Sequence, residues 1–199
     1  MKNQSNNITL THMEDINMKK TSISKVTSAL ANIIEVISFA IAGFIAISLI
    51  ALAIMISKGQ LTTHTFSNVF TNVQLQYQGG QALFKDGQFN IPGLFVFGIM
   101  MIIFAILSGS IFHNIYRIFA LDSGSPFSPE NIKRVRTIGF LAITLPIAKI
   151  IITVIGMLFG VSAFIDISAS EFLFGLVALS LSQYFAYGAE LEKDVEGLL

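Results

Sequence analysis

The chain has 199 residues, enough for one domain, yet 53% are hydrophobic, only 12% are charged, and the mean hydropathy is +0.73. A soluble domain carries about 25% charged residues, so this deficit, concentrated in long uncharged runs, points to lipid as the solvent. A formal net charge of zero argues against a large nucleic-acid-binding surface, and the absence of cysteine removes disulfides, thiolate catalysis and Cys-based metal sites together.

Residues 1–28 are mostly polar and lack clear apolar periodicity, so a mobile N-terminal tail is expected. A secretory signal would place a short apolar core near the start. Here the first apolar run comes late and is long, and it reads as a retained span. It extends from Ala31 to Ser57, interrupted by Asn32 and Glu35. The loop 58–91 follows. Phe66, Val69, Phe70 and Val73 have helical spacing, whereas Val73, Leu75 and Tyr77 alternate as in a strand, and Gly79-Gly80 breaks the pattern. A surface helix and a hairpin both fit.

A second run covers 92–120 and a third 138–161, separated by the loop 121–137. The fourth, 172–189, has only about 16 strongly apolar residues and draws on Gly188 and Ala189 to complete its crossing. A hydrocarbon core of about 30 Å needs about 20 helical residues. The expected fold is therefore an all-α integral membrane protein, a four-helix transmembrane bundle within 29–195, with a short C-terminal end at 196–199. Of the twelve Lys and Arg residues, nine fall before the first span, between the second and third, or after the fourth. Only Lys58 and Lys85 fall on the other side, so the positive-inside rule places both termini in the cytosol.

Within the spans, small residues recur at steps of three and four, which puts them on one helix face. The third span has Gly139, Ala142, Pro146, Lys149, Thr153, Gly156 and Gly160; the second has Gly98, Ala105, Gly109, His113 and Arg117. Glu35, Ser38, Ala42, Ala46 and Ala53 mark the first, and Gly175, Ala178, Ser182, Ala186 and Ala189 the fourth. Helices in lipid associate through such faces, because small residues let backbones approach. Gly109, Gly139, Gly156 and Gly160 are the principal packing glycines expected.

Polar side chains at membrane depth are costly and hence informative. Lys149 lies about 16 Å into its span, and with Glu35, His113, Asn114 and Gln183 it makes a candidate intramembrane polar site. Glu35 and Lys149 would be partners and His113 a proton-linked group. The alternative is that Glu35 is interfacial, Lys149 extends to water, and His113 with Asn114 ties helices together. Pro146 frees a backbone carbonyl and can kink the third span. The histidines lack metal-ligand spacing, and span serines such as Ser108 and Ser182 have no evident base. Neither a catalytic residue, a metal nor another cofactor is expected, and the chain reads as non-enzymatic.

The loop before the third span has a legible local design. Gly124 and Pro126 make a turn, Ser128 suits an N-cap, Pro129 the first helical position, and Glu130 the helix dipole. Lys133, Arg134 and Arg136 would then sit at headgroup level. This stretch, with Gly124, Pro126, Phe127, Glu130, Asn131, Arg134, Arg136, Ile138 and Gly139, resembles the bacterial membrane protein family catalogued as domain of unknown function 2975. So does the exit of the fourth span, with Phe185, Gly188, Ala189, Glu190, Leu191 and Asp194. The resemblance covers residues 30–195, and the tail departs from it after Asp194. It implies four spans and no established activity. It also implies a cytosolic helix-turn-helix regulator as a partner. The other partners expected are the lipid bilayer and a second copy of the chain.

Two functions fit these readings. One is a membrane-side signalling or regulatory component in the bacterial cytoplasmic membrane. The other is a small transporter, or an immunity protein against a membrane-active peptide, built around Lys149.

Overall fold

The computed structural model describes residues 2–60, 84–85, 88–120, 127–159 and 169–196. Its helices are α1 (Lys2–Ser57), α2 (Ile91–Ala120), α3 (Pro129–Leu158) and α4 (Ala169–Glu196). Two short strands, β1 (Phe84–Lys85) and β2 (Gln88–Phe89), pair antiparallel ahead of α2, with Phe84 opposite Phe89 and Lys85 opposite Gln88. Each helix contains a stretch long and apolar enough to cross a bilayer.

α1 is longer than the expected first span, because the polar segment 2–28 is helical and continuous with it. Neither glycine nor proline occurs between Lys2 and Ala42, so nothing interrupts the hydrogen-bond ladder. The helix stops at Gly59, whose φ of 67° is the left-handed conformation that glycine adopts at little cost. Gly59 N–H donates to the Ile56 carbonyl and Gln60 N–H to that of Met55, which satisfies two carbonyls left over at the helix end.

Asn90 caps α2 by accepting a hydrogen bond from Gly93 N–H at 3.1 Å. Its amide donates to the Phe159 carbonyl at the far end of α3, also at 3.1 Å. One buried side chain thus fixes the start of one helix to the end of the next. At the opposite end Ser128 caps α3, taking Asn131 N–H on its hydroxyl, with Pro129 opening the helix. The helix runs through Pro146, which is fully buried.

The substantial contacts join chain neighbours, α1 with α2, α2 with α3, and α3 with α4, so the helices form a row. Glycines set the spacing. A Cβ on Gly98 would come within 2.8 Å of Leu49, and one on Gly109 within 3.1 Å of the Phe39 ring. Gly139 and Gly175 meet backbone to backbone: a Cβ on either would stand 3.0 Å from the other's carbonyl oxygen. On α3 the buried residues are Ile138, Gly139, Ala142, Pro146, Thr153 and Gly156, a single face. Ala42 on α1 is also buried, whereas Ala53 is exposed and Leu52 is half-buried in its place.

Between α2, α3 and α4 lies a small apolar core of Ile111, Ile138, Ala142 and Ala178, flanked by Ile115, Ile118, Leu141 and Leu145. Outward surfaces are strongly apolar, with Phe44, Ile47, Phe140, Leu173 and Phe174 all more than half or close to half exposed. In water such faces would drive aggregation. In lipid they are at rest, because the tails are as apolar as the side chains.

Candidate functional site

Two ion pairs hold most of the charge within the spans. Glu35 on α1 meets His113 on α2, with Nδ1 2.8 Å from Oε1. Both belong to the small-residue faces that bring α1 and α2 together. Glu35 lies about one turn inside the apolar part of α1, and its side chain is 16% exposed against 48% for His113. On the other side of the row, Lys149 on α3 pairs with Glu171 in the first turn of α4. Its ammonium also lies 5.9 Å from the centroid of the Phe104 ring on α2. Three helices therefore converge on Lys149.

This arrangement corrects the expected partnership of Glu35 with Lys149. Each has its own counterion on a neighbouring helix, so the polar residues form two separate sites rather than one pocket. The Lys149 ammonium ends on a carboxylate. A lone charge at the bilayer centre costs about 2.5–3.5 kcal/mol on insertion scales, and Glu171 offsets much of that. Sequence reading missed Glu171 because it stands at the edge of the fourth apolar run, where acidic residues are ordinary. The signal was available in part, since a carboxylate in a first turn also complements the helix dipole. What placed it beside Lys149 was the register of α4. Gly175 packs on Gly139 and Ile143, so Ala169, six residues earlier on an antiparallel helix, begins about 9 Å further along, near the level of Lys149.

In each pair one carboxylate oxygen is used and the second, Glu35 Oε2 or Glu171 Oε2, is buried without a hydrogen bond. The other polar candidates do different things. Asn114 donates to the Ser110 carbonyl on its own helix, at 2.8 Å. Gln183 is exposed, one residue past buried Ser182, whose hydroxyl donates to the Leu179 carbonyl. Among the described residues, no three His, Asp or Glu side chains gather in metal-binding geometry.

At the end of the row that carries the start of α3, an open cleft of about 420 Å³ lies between α2 and α3. Its walls are Asn114, Arg117, Glu130, Lys133, Arg134 and Thr137. Arg136 is exposed and lies outside it. Asn131 is half-buried, its side-chain oxygen enclosed without a partner. Phe127, just before the cap, packs edge-on against Phe185 of α4 with centroids 5.7 Å apart. The same ring fills the space above Gly188, where a Cβ would come within 2.9 Å of it. The motif positions Gly124 and Pro126, and the packing position Gly160, lie outside the described residues.

Comparison with protein-family models, with curated proteins and with solved structures finds no match to this chain. The helices themselves establish the class: it is a multi-pass, all-α membrane protein.

Proposed function

We propose that this is a non-enzymatic component of a bacterial cytoplasmic membrane, with both termini inside, serving signalling or regulation from the cytosolic face. The observation that carries the reading is the distribution of charge. Within the spans, charge is consumed in two self-contained pairs on different helices, an arrangement suited to holding helices together. Unpaired charge collects at the start of α3, the side to which the positive-inside rule assigns the cytosol. The exit of α4, with Glu190, Lys193 and Asp194, lies at the same end.

Membership in the family catalogued as domain of unknown function 2975 belongs to this proposal. It is supported by the contact of Phe127 with Phe185 and Gly188, which joins the two segments that carry the resemblance. A helix-turn-helix regulator as partner rests on that resemblance alone. The test is cross-linking in intact membranes followed by capture of the tagged full-length chain. A discrete partner, lost when Arg136 and Lys193 are both replaced by Gln, is expected. Recovery of unrelated abundant proteins alone would contradict the proposal.

A second reading, transport or peptide immunity, draws on the position of Lys149 in the interior of α3, paired with Glu171 beside a stretch of α3 that extends past the start of α4. Under it, Lys149→Leu abolishes the phenotype while the protein still folds.

A further inference from the structure

The cleft between α2 and α3 brings together three cations with, among the described residues, no carboxylate paired to any of them. Arg117 comes from the last turn of α2, Lys133 and Arg134 from the second turn of α3. Glu130 shares the cleft, yet it does not lie within ion-pair distance of Arg117, Lys133 or Arg134. Among the described residues of the cleft, three positive charges against one negative leave an excess of two. Arg134 adds a second observation: its Nε is buried and has no hydrogen-bond partner. A buried, charged donor without an acceptor is costly, and structures normally satisfy it.

From this we infer that the cleft is a binding site for a phosphate group. The chemistry matches on three counts. A phosphate monoester carries close to two negative charges, the local excess. Its oxygens can accept from the fork of a guanidinium, which presents donors in a plane suited to two parallel hydrogen bonds. The amide of Asn114 and the hydroxyl of Thr137 stand in the same walls, although each already donates to a carbonyl of its own helix.

Position identifies where such a group would come from. Thr137 borders the cleft, and the next residue, Ile138, belongs to the buried apolar core shared with Ile111, Ile115 and Ile118. The cations therefore ring the boundary between apolar core and polar end, the height of lipid headgroups in a membrane crossed by these helices. A headgroup phosphate and a soluble phosphate share the chemistry, and only the first is delivered at that height by the bilayer itself. The inference needs the membrane placement of the helices and does not depend on the regulatory reading. Failure to capture a protein partner would leave it standing.

The experiment uses the full chain in nanodiscs of phosphatidylcholine, alone or doped with phosphatidic acid. Retained lipid is read by native mass spectrometry and stability by thermal unfolding; inorganic phosphate is added to the undoped discs as a separate arm. Phosphatidic acid is expected to stay bound to the wild type, with Arg134→Gln and Lys133→Gln each lowering retention about tenfold, the loss of one charge-assisted hydrogen bond. Arg136→Gln removes the same charge just outside the cleft and should change retention less than about twofold. Lys133 is exposed, so its variant remains informative should Arg134→Gln fail to fold. Stabilisation by inorganic phosphate that depends on Arg134 and Lys133 would support the same site with a soluble source. Equal losses in the Arg136 variant and the two cleft variants would reduce the effect to diffuse attraction and overturn the inference. So would the absence of both lipid retention and a phosphate response.

Discussion

The two halves of the row, α1 with α2 and α3 with α4, use the same residue types to different ends. In the first half two glycines of α2 receive the tip of a side chain from α1, Leu49 over Gly98 and Phe39 over Gly109. In the second half, Gly139 and Gly175 receive each other's backbone. A side chain can turn aside for an added methyl group, whereas a helix backbone can move only with the whole helix. The ion pairs differ in parallel. Glu35–His113 lies near an end of the apolar stretch with the imidazole half exposed, while Lys149–Glu171 joins the interior of α3 to the first turn of α4, with both partners about a quarter exposed. The α3–α4 half is the less forgiving one, on packing and on charge.

The largest effect is therefore expected at Gly175. Gly175→Leu would place its Cβ 2.5 Å from Ile143 and 3.0 Å from the Gly139 carbonyl. It should cost about 3 kcal/mol or prevent α4 from docking, seen as a collapse of the thermal transition in detergent followed by circular dichroism. A loss as small as that of a surface substitution would erase the contrast between the halves.

Next comes Lys149→Leu, which strands Glu171 in the membrane. Breaking a buried pair costs about 3–5 kcal/mol, and partial exposure brings this to about 2 kcal/mol here. Adding Glu171→Gln to that variant should restore most of the stability, as measured by a double-mutant cycle of unfolding in the same detergent. A single variant more stable than wild type would mean that Glu171 does not serve as the counterion.

A smaller loss, about 1 kcal/mol, is expected for Gly59→Ala, because alanine in a left-handed conformation is strained. The smallest is Gly98→Ala. The Leu49 methyls can move aside, and alanine's better helix propensity offsets the shift, so the net change should lie within about 0.5 kcal/mol. Thermal unfolding of these two variants beside Gly175→Leu sharpens the comparison to three grades of constraint.

The spans were legible in the sequence because the bilayer imposes a length and removes charge. Their buried faces were legible for a related reason, since small residues at steps of three and four mark the contact side of a helix. The helicity of residues 2–28 was not, because a polar segment joined to a span needs no amphipathic pattern to continue it. A hairpin was one of two readings of the loop 58–91, and the strand pair lies at its end, where Asp86-Gly87 between Phe84–Lys85 and Gln88–Phe89 is a strong short-range hairpin signal. The alternating stretch Val73–Tyr77 lies outside the described residues.

The candidate polar site was half legible. Glu35 and Lys149 stood out by depth, but depth on one's own helix does not give the register between helices, and register chose His113 and Glu171 as partners. Gln183 could have been set aside from its own stripe, because one step past Ser182 turns about 100° away from the contact face. The cleft drew Arg117 and Asn114 from the end of α2, residues that the reading of the loop as a single stretch kept apart from Arg134.

All of this depends on the helices crossing a bilayer with the start of α3 on the side opposite the end of α1. The chain contains no cysteine, so Gln60→Cys, Arg136→Cys and Lys193→Cys can be made one at a time and labelled on intact bacterial cells with a membrane-impermeant maleimide. Labelling of the position-60 variant alone, with the other two reacting only after the cells are opened, is the expected result. Equal labelling of positions 60 and 136 from outside would contradict it.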